Sequence, residues 1–220
     1  IIDIGGESTR PGSKTVFEKM EWKRIEGVVK NFKKNFNNIC LSVDTRKSYV
    51  MTKSLKLGAD LINDVSGFNF DNQSLIKLKK YNTSKVLHHM QGTPNTMQKN
   101  PKYKNVLLDI YDFFEKNINK IDNKKIIVDP GIGFGKNLKH NMTLINNISI
   151  FHSLGFPIML GVSRKRFIKD LSGNNDSKER LGGTISSSLY AMTQGTQILR
   201  IHDVNEVNQS IKVFKSLNFK

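Results

Sequence analysis

The chain has 220 residues, 37% of them hydrophobic, which suits one α/β barrel or one large open-sheet domain. Its longest apolar runs are strand-length, far short of the roughly 20 residues that a membrane helix needs, and its start has no basic signal-peptide region. The formal net charge is +16, but the lysines are scattered over helices without an aromatic-interleaved basic block, and a solvated basic surface explains them better than a nucleic-acid interface.

Seven short apolar runs each stop at a polar group: IIDIGGESTRPG (1–12), ICLSVDTR (39–46), LINDVSG (61–67), KVLHHMQG (85–92), IIVDPGIGFGK (126–136), IMLGVSRK (158–165) and ILRIHD (198–203). Between them the spacing predicts helices at about 15–36, 47–57, 72–80, 103–120, 139–154, 177–194 and 204–216. In the first, Trp22, Ile25, Val28, Val29, Phe32 and Phe36 recur every three or four residues as one apolar stripe. Buried parallel strands read as β-branched apolar runs, and their alternation with helices implies βαβ units in a single domain spanning 1–220. Cys40, the lone cysteine, falls in a strand-like run, where buried filler is expected; one cysteine and no leader suit a reducing, cytoplasmic location.

In a parallel barrel the loops after the strands share one face, where chemistry is done. Asp44, Asn63, Asp129, Lys165, Arg200 and His202 are therefore expected to converge. Asp44, Asn63 and Asp129 occupy equivalent strand ends, and carboxylate and amide groups there suit the adjacent N–H donors of a pterin or purine edge. Asp3 and Asp64 are neighbouring alternatives, and strand parity sends one residue of each adjacent pair inward and the other outward. Two glycines let GGESTRPG (5–12) turn sharply, and its Ser8, Thr9 and Arg10 suit an anion. GIGFGK (131–136) matches neither a P-loop nor G-x-G-x-x-G; its glycines are expected to bring Phe134 over the pocket as a stacking wall. Lys165 with Arg200 and His202 on the next strand makes a cationic group that calls for a phosphate or pyrophosphate. His88 and His89 are adjacent on a strand, point to opposite faces and cannot share a metal ion.

Together these motifs resemble the dihydropteroate synthase family along essentially the whole chain: DIGGESTRPG, SVDTRK, INDVSG, HMQGTPNTMQ, VDPGIGFGK, GVSRKRF, RLGGT and RIHDV occur in the family's order. The resemblance implies a TIM barrel that joins 6-hydroxymethyl-7,8-dihydropterin diphosphate to 4-aminobenzoate with release of pyrophosphate, uses magnesium, and is a homodimer when complete. It implies a pterin pocket of Asp44, Asn63, Asp129 and Lys165, with His88 packing on the ring. Arg200 and His202, closed over by Arg10, become the pyrophosphate anchor. Thr9, Pro11, Phe134 and Ser163 become the 4-aminobenzoate site that sulfonamides also occupy. The implied catalytic set is Asp129, Lys165, Arg200, His202 and Arg10.

Two departures follow. The family's Leu-Met-His is Leu87-His88-His89 here, and a neutral imidazole is expected to stack where Met would. Seven strands are one short of a (β/α)8 barrel, so the first strand, its loop and its helix are expected to lie upstream of residue 1. The family's magnesium-binding Asn belongs there, no residue of this chain takes that role, and the chain alone is expected to be weak or inactive. Two rivals are a corrinoid-linked pterin methyltransferase, which needs neither the Arg200/His202 anion site nor Lys165, and a basic nucleic-acid-binding fragment.

Overall fold

The computed structural model describes residues 1–121 and 125–218. All seven apolar runs form strands: β1 (Ile2–Gly5), β2 (Leu41–Asp44), β3 (Leu61–Asp64), β4 (Ser84–His88), β5 (Ile126–Asp129), β6 (Met159–Leu160) and β7 (Ile198–Leu199). β1 to β5 pair in parallel and in sequence order. A parallel bridge between Val128 and Ile158 carries the order on to β6, which pairs with β7. With helices between successive strands, this is an α/β fold of the parallel-barrel type. Among the described residues no ladder joins β7 to β1, and the Arg200 side chain spans that side, reaching Asp3 at 2.7 Å.

Alternation of side chains splits each strand between two cores. The outward-facing set, including Leu41, Val43, Ile62, Leu87 and Val128, packs beneath the helices with Trp22, Ile25, Val29, Ile110 and Phe114. The inward-facing Leu61, Val86, Ile127 and Met159 form a second cluster, with Cys40 and Ile198 packed against it. Burying each such side chain is worth about 1.5–3 kcal/mol. This inner cluster is the floor of the barrel, and Cys40, expected as buried filler, is only partly buried against it because it precedes β2 at the strand's open end.

The helices are α1 (Glu18–Asn35), α2 (Ser48–Lys56), α3 (Ser74–Leu78), α4 (Val106–Ile118), α5 (Leu138–Asn146), α6 (Arg166–Ser172), α7 (Leu181–Thr193) and α8 (Val204–Asn218). Of the predicted stripe α1 buries Trp22, Ile25 and Val29 and packs Phe32 against the core, whereas Val28 and Phe36 are exposed; Glu18 and Glu21 stand in its first turn and Lys33 and Lys34 in its last, as the helix dipole favours. α4 starts at the Asn105 cap, whose side chain accepts from the N–H groups of Leu107 and Leu108. The helix expected over 139–154 divides at Asn147, and a 3-10 segment, Ile148–Leu154, follows α5. The one expected over 177–194 likewise opens with a 3-10 turn, Ser177–Arg180. α6 was not expected from periodicity: seven residues with only Phe167 and Ile168 buried leave too short a pattern. None of the helices among the described residues is long and apolar enough to cross a membrane.

Phe114 is fully buried and packs edge-on against Phe151 at 5.5 Å between centroids. Phe114→Ala should lower the unfolding free energy by about 3–5 kcal/mol, measured by urea titration. A loss below about 1 kcal/mol would show that α4 does not close the outer core in this way.

Candidate active site

Directly above the apolar floor, the same inward parity places polar side chains. Asp44, Asn63, His88 and Asp129 fall at or next to the C-terminal ends of β2 to β5, with Asp44 in register with Asn63 and His88 with Asp129, and Asp3 of β1 lies one layer lower, in register with Ser42. Asp64, the outward neighbour, instead turns back on its own loop and accepts from the Ser66 N–H at 2.8 Å. Of the two alternatives weighed in the sequence, Asp3 therefore belongs to the site and Asp64 does not.

The layer is cross-linked and yet incompletely satisfied. Asp3 accepts from Ser42 at 2.6 Å, from the Asn63 amide at 3.2 Å and from the Arg200 Nε–H at 2.7 Å. A second Arg200 N–H reaches Asp44 at 3.3 Å. That leaves Asp44 Oδ1 and Asn63 Oδ1 buried with no partner. Two adjacent, desolvated acceptors without donors are costly in a folded protein unless a ligand supplies the donors. Burial, reinforced by the Asp3 charge, pushes the Asp44 carboxyl up to about 8, with Arg200 opposing.

On the far side, Asp129 accepts from the Gly131 N–H at 2.8 Å, so the start of the GIGFGK loop is tied to the recognition carboxylate. Gly131 has φ +70°, and a Cβ there would lie 1.9 Å from the His89 carbonyl oxygen, so only glycine fits. The loop then carries Phe134 to His88, edge to face at 4.5 Å. The His88 Nδ1 meets the Val65 carbonyl at 3.0 Å, and burial holds its pKa down to about 4, so the imidazole is neutral. His89 faces the other way, 4.9 Å from Phe113, with Lys136 on its Nδ1 at 3.0 Å. Lys136 also donates to the Phe134 carbonyl at 2.9 Å, which locks the loop from beneath. The Lys165 ammonium lies 4.3 Å from the Phe134 ring centre and donates to the Ile132 carbonyl. Burial pushes its pKa down to about 8, against the pull of Asp129 and with the push of Arg200.

The two cationic motifs are joined. The His202 N–H and its Nδ1 meet the Ser163 hydroxyl at 3.2 and 2.9 Å, and the Arg164 Nε–H donates to Asp203 at 3.0 Å. Arg164 takes φ +58°, so Ser163 and Lys165 flank a tight turn held by that ion pair. His202 is kept below its usual pKa by burial and then by Arg164 and Arg200, with Asp203 opposing.

Contacts thus join these residues in three sets, Asp44 with Asn63 and Arg200, His88 with Asp129, Phe134 and Lys165, and Ser163 with His202, all at strand ends or in the loops that follow them. Thr9, Arg10 and Pro11 lie on the loop after β1, and among the described residues no hydrogen bond or ion pair joins them to the other predicted site residues; Arg10 and Pro11 are exposed, and Gly12 N–H ties the loop to the Pro94 carbonyl at 3.0 Å. Asp3 was legible only as an alternative, and the Ser163–His202 and Arg164–Asp203 links were not legible at all. Among the described residues no group of three or more His, Cys, Asp or Glu side chains is placed to hold a metal ion.

Residues 1–202 match the family model described as pterin binding enzyme. The dihydropteroate synthase of Neisseria meningitidis serogroup B is 38% identical over 99% of this chain and 79% of its own length. A Yersinia pestis dihydropteroate synthase structure with a sulfonamide drug complex superposes with a TM-score of 0.94 at 37% identity, covering 99% of this chain and 80% of that one. The Thermus thermophilus dihydropteroate synthase in complex with 4-aminobenzoate superposes at 0.89 with 34% identity, covering 98% of this chain and 83% of that one.

The Asp44 shift yields a signed expectation. A carboxyl raised in the fold adds stability fully below its unfolded pKa, near 4, and loses it as pH rises towards about 8. The stability advantage of Asp44→Asn over the parent should therefore grow from pH 5 to pH 8, by on the order of 1 kcal/mol per unit, then level off. A difference independent of pH in urea titrations would mean that Asp44 is ionised throughout.

Proposed function

Because this chain belongs to the pterin-binding enzyme family, among the dihydropteroate synthases, we propose how its residues divide the labour of that transferase reaction. The reaction condenses 6-hydroxymethyl-7,8-dihydropterin diphosphate with 4-aminobenzoate to give 7,8-dihydropteroate and pyrophosphate in folate synthesis. The observation that carries the assignment is the pair of buried, donorless acceptors, Asp44 Oδ1 and Asn63 Oδ1, set over an apolar floor. A pterin ring is flat and apolar on its faces and carries N–H groups on its edge. Asp44, Asn63 and Asp129 receive those N–H groups, Lys165 donates to a ring acceptor, and neutral His88 lies against the ring.

The diphosphate goes to Arg200, His202 and Arg10. Arg200 already spans towards the pterin carboxylates, so the anion and the ring are drawn into one continuous site. At the pterin methylene the carbon–oxygen bond breaks and pyrophosphate leaves with the electron pair. Electron donation from the ring stabilises the carbon left behind, the neutral arylamine nitrogen attacks it, and the amine proton passes to solvent. Positioning and charge stabilisation suffice for this, without a strong general base. Ser163 and Phe134, with Thr9 and Pro11 on the loop above, hold the 4-aminobenzoate ring. Magnesium, which the family resemblance implies, is assigned no step here.

The direct test is dihydropteroate formation from the two substrates, with sulfonamide as competitor of 4-aminobenzoate. Asp129→Ala should abolish pterin binding in calorimetry; near-parental affinity would remove Asp129 from the pocket. Arg200→Ala should weaken the diphosphate substrate roughly 10- to 150-fold, the worth of a charged hydrogen bond, and leave 6-hydroxymethylpterin nearly unaffected. Equal losses for both ligands would refute the separation of ring and anion contacts.

A further inference from the structure

The GGESTRPG loop ends in a buried ion network that takes no part in the contacts assigned above. Glu7 is 8% exposed, although it stands only two residues from the exposed tip. One of its oxygens accepts the Arg46 Nε–H at 2.8 Å, and the other accepts the Val16 N–H at 2.8 Å, nine residues further along the chain. Lys47 bridges Glu7, at 2.9 Å, to the fully buried Glu21 of α1. Arg46 reaches on to the Thr15 hydroxyl at 3.1 Å, and its guanidinium stacks 3.9 Å from the Phe70 ring centre. Arg46 therefore fastens both stems of the loop, at Glu7 and at Thr15, the Val16 N–H ties the far stem to Glu7 itself, and Lys47 holds the Glu7 stem to α1.

The sequence around the network is arranged to permit it. A Cβ on Gly6 would stand 2.6 Å from the Glu21 carbonyl oxygen, so only glycine lets the stem pass against α1 closely enough for Lys47 to reach both glutamates. The Gly6 carbonyl is in turn held by Arg24 at 2.8 Å. Arg46 and Lys47 follow Asp44 by two and three residues, so the clamp on the loop is continuous with the strand end that receives the pterin. Between the stems only light contacts order the tip, among them Ser13 Oγ–H to the Ser8 carbonyl at 2.6 Å and Gly12 N–H to Pro94 at 3.0 Å.

We propose that Glu7 is a positioning residue for the second substrate: through Arg46 and Lys47 it sets the height and angle at which Thr9 and Pro11 meet 4-aminobenzoate. This rests on the reading of that loop as part of the 4-aminobenzoate site. The network has an energetic reason to persist at neutral pH. Burial pushes the Glu7 carboxyl up, but Arg46, the Val16 N–H and Lys47 outweigh it and hold its pKa below the usual value, so the charge pair is intact. A buried ion pair of this kind is a poor source of net stability but an effective means of fixing one geometry. A loop tip displaced by even about 1 Å from the reacting amine has a disproportionate cost in rate.

Steady-state kinetics of the enzyme, with each substrate varied in turn, tests the proposal. In Glu7→Gln the KM for 4-aminobenzoate should rise about tenfold or more, while the KM for the pterin diphosphate stays within about twofold. Thr15→Val, which removes only the anchor on the far stem and leaves the carboxylate in place, should raise the same KM by about threefold, and it decides the matter should Glu7→Gln fail to fold. Thr9→Ala is the reference for the loop itself. A raised KM for 4-aminobenzoate in Thr9→Ala, with parental values in both Glu7→Gln and Thr15→Val, would overturn the positioning role and leave the loop assignment standing. Parental values in all three would overturn the loop assignment and the proposal with it. Equal rises in both KM values would show a general loosening of the barrel mouth, which also contradicts the proposal.

Discussion

Strand parity governs the rest of this structure. Every inward-facing side chain shares its alternation with a neighbour two residues away, so Leu61 commits Asn63, Val86 commits His88 and Ile127 commits Asp129 to the same interior. The apolar member of each pair lies lower and excludes water; the polar member lies above it at the strand end. A one-residue slip of β3 would put Ile62 and Asp64 inside and leave Asn63 under the helices, destroying floor and pocket together. The fold and the recognition surface are thus the same constraint, read at two heights along each strand.

That arrangement has an electrostatic consequence. Groups at the strand ends are desolvated by their neighbours before any ligand arrives, which raises Asp44 to about 8 and lowers Lys165 to about 8 and His88 to about 4. Burial pushes Lys136 well below its usual value as well, with the Asp129 charge opposing, and its ammonium meets the Phe134 carbonyl and the His89 ring. The pocket therefore holds acceptors and donors in a dry setting, poised against one another through Arg200. A ligand that brings complementary N–H groups and negative charge relieves an existing cost, which is how binding energy is directed to orientation.

Much of this was legible in the residues. The seven strands follow from β-branched apolar runs, and the inward-facing strand-end positions of Asp44, Asn63 and Asp129 follow from VDT, NDV and VDP. The opposed directions of His88 and His89 needed only alternation. Other features escaped because they depend on contacts across the chain. Asp3 could be ranked above Asp64 only once Ser42, Asn63 and Arg200 were seen around it. The Arg164–Asp203 pair is 39 residues apart in sequence and leaves no periodic trace. α6 is too short to show a stripe, and Asn147 breaks one predicted helix into two segments without glycine or proline to announce it. Glu7 looked like one polar residue in a loop motif, and its burial against Arg46 and Lys47 is a tertiary fact.

The central claim is that the unpartnered acceptors over the apolar floor receive the pterin ring while Arg200 and His202 receive its diphosphate. A crystal structure of the complex with 6-hydroxymethyl-7,8-dihydropterin diphosphate measures this most directly. The account predicts the ring's N–H edge within hydrogen-bond distance of Asp44 Oδ1, Asn63 Oδ1 and Asp129, with one face towards His88 and phosphate oxygens on Arg200 and His202. A ring bound elsewhere, with Asp44 Oδ1 and Asn63 Oδ1 still lacking donors, would contradict it.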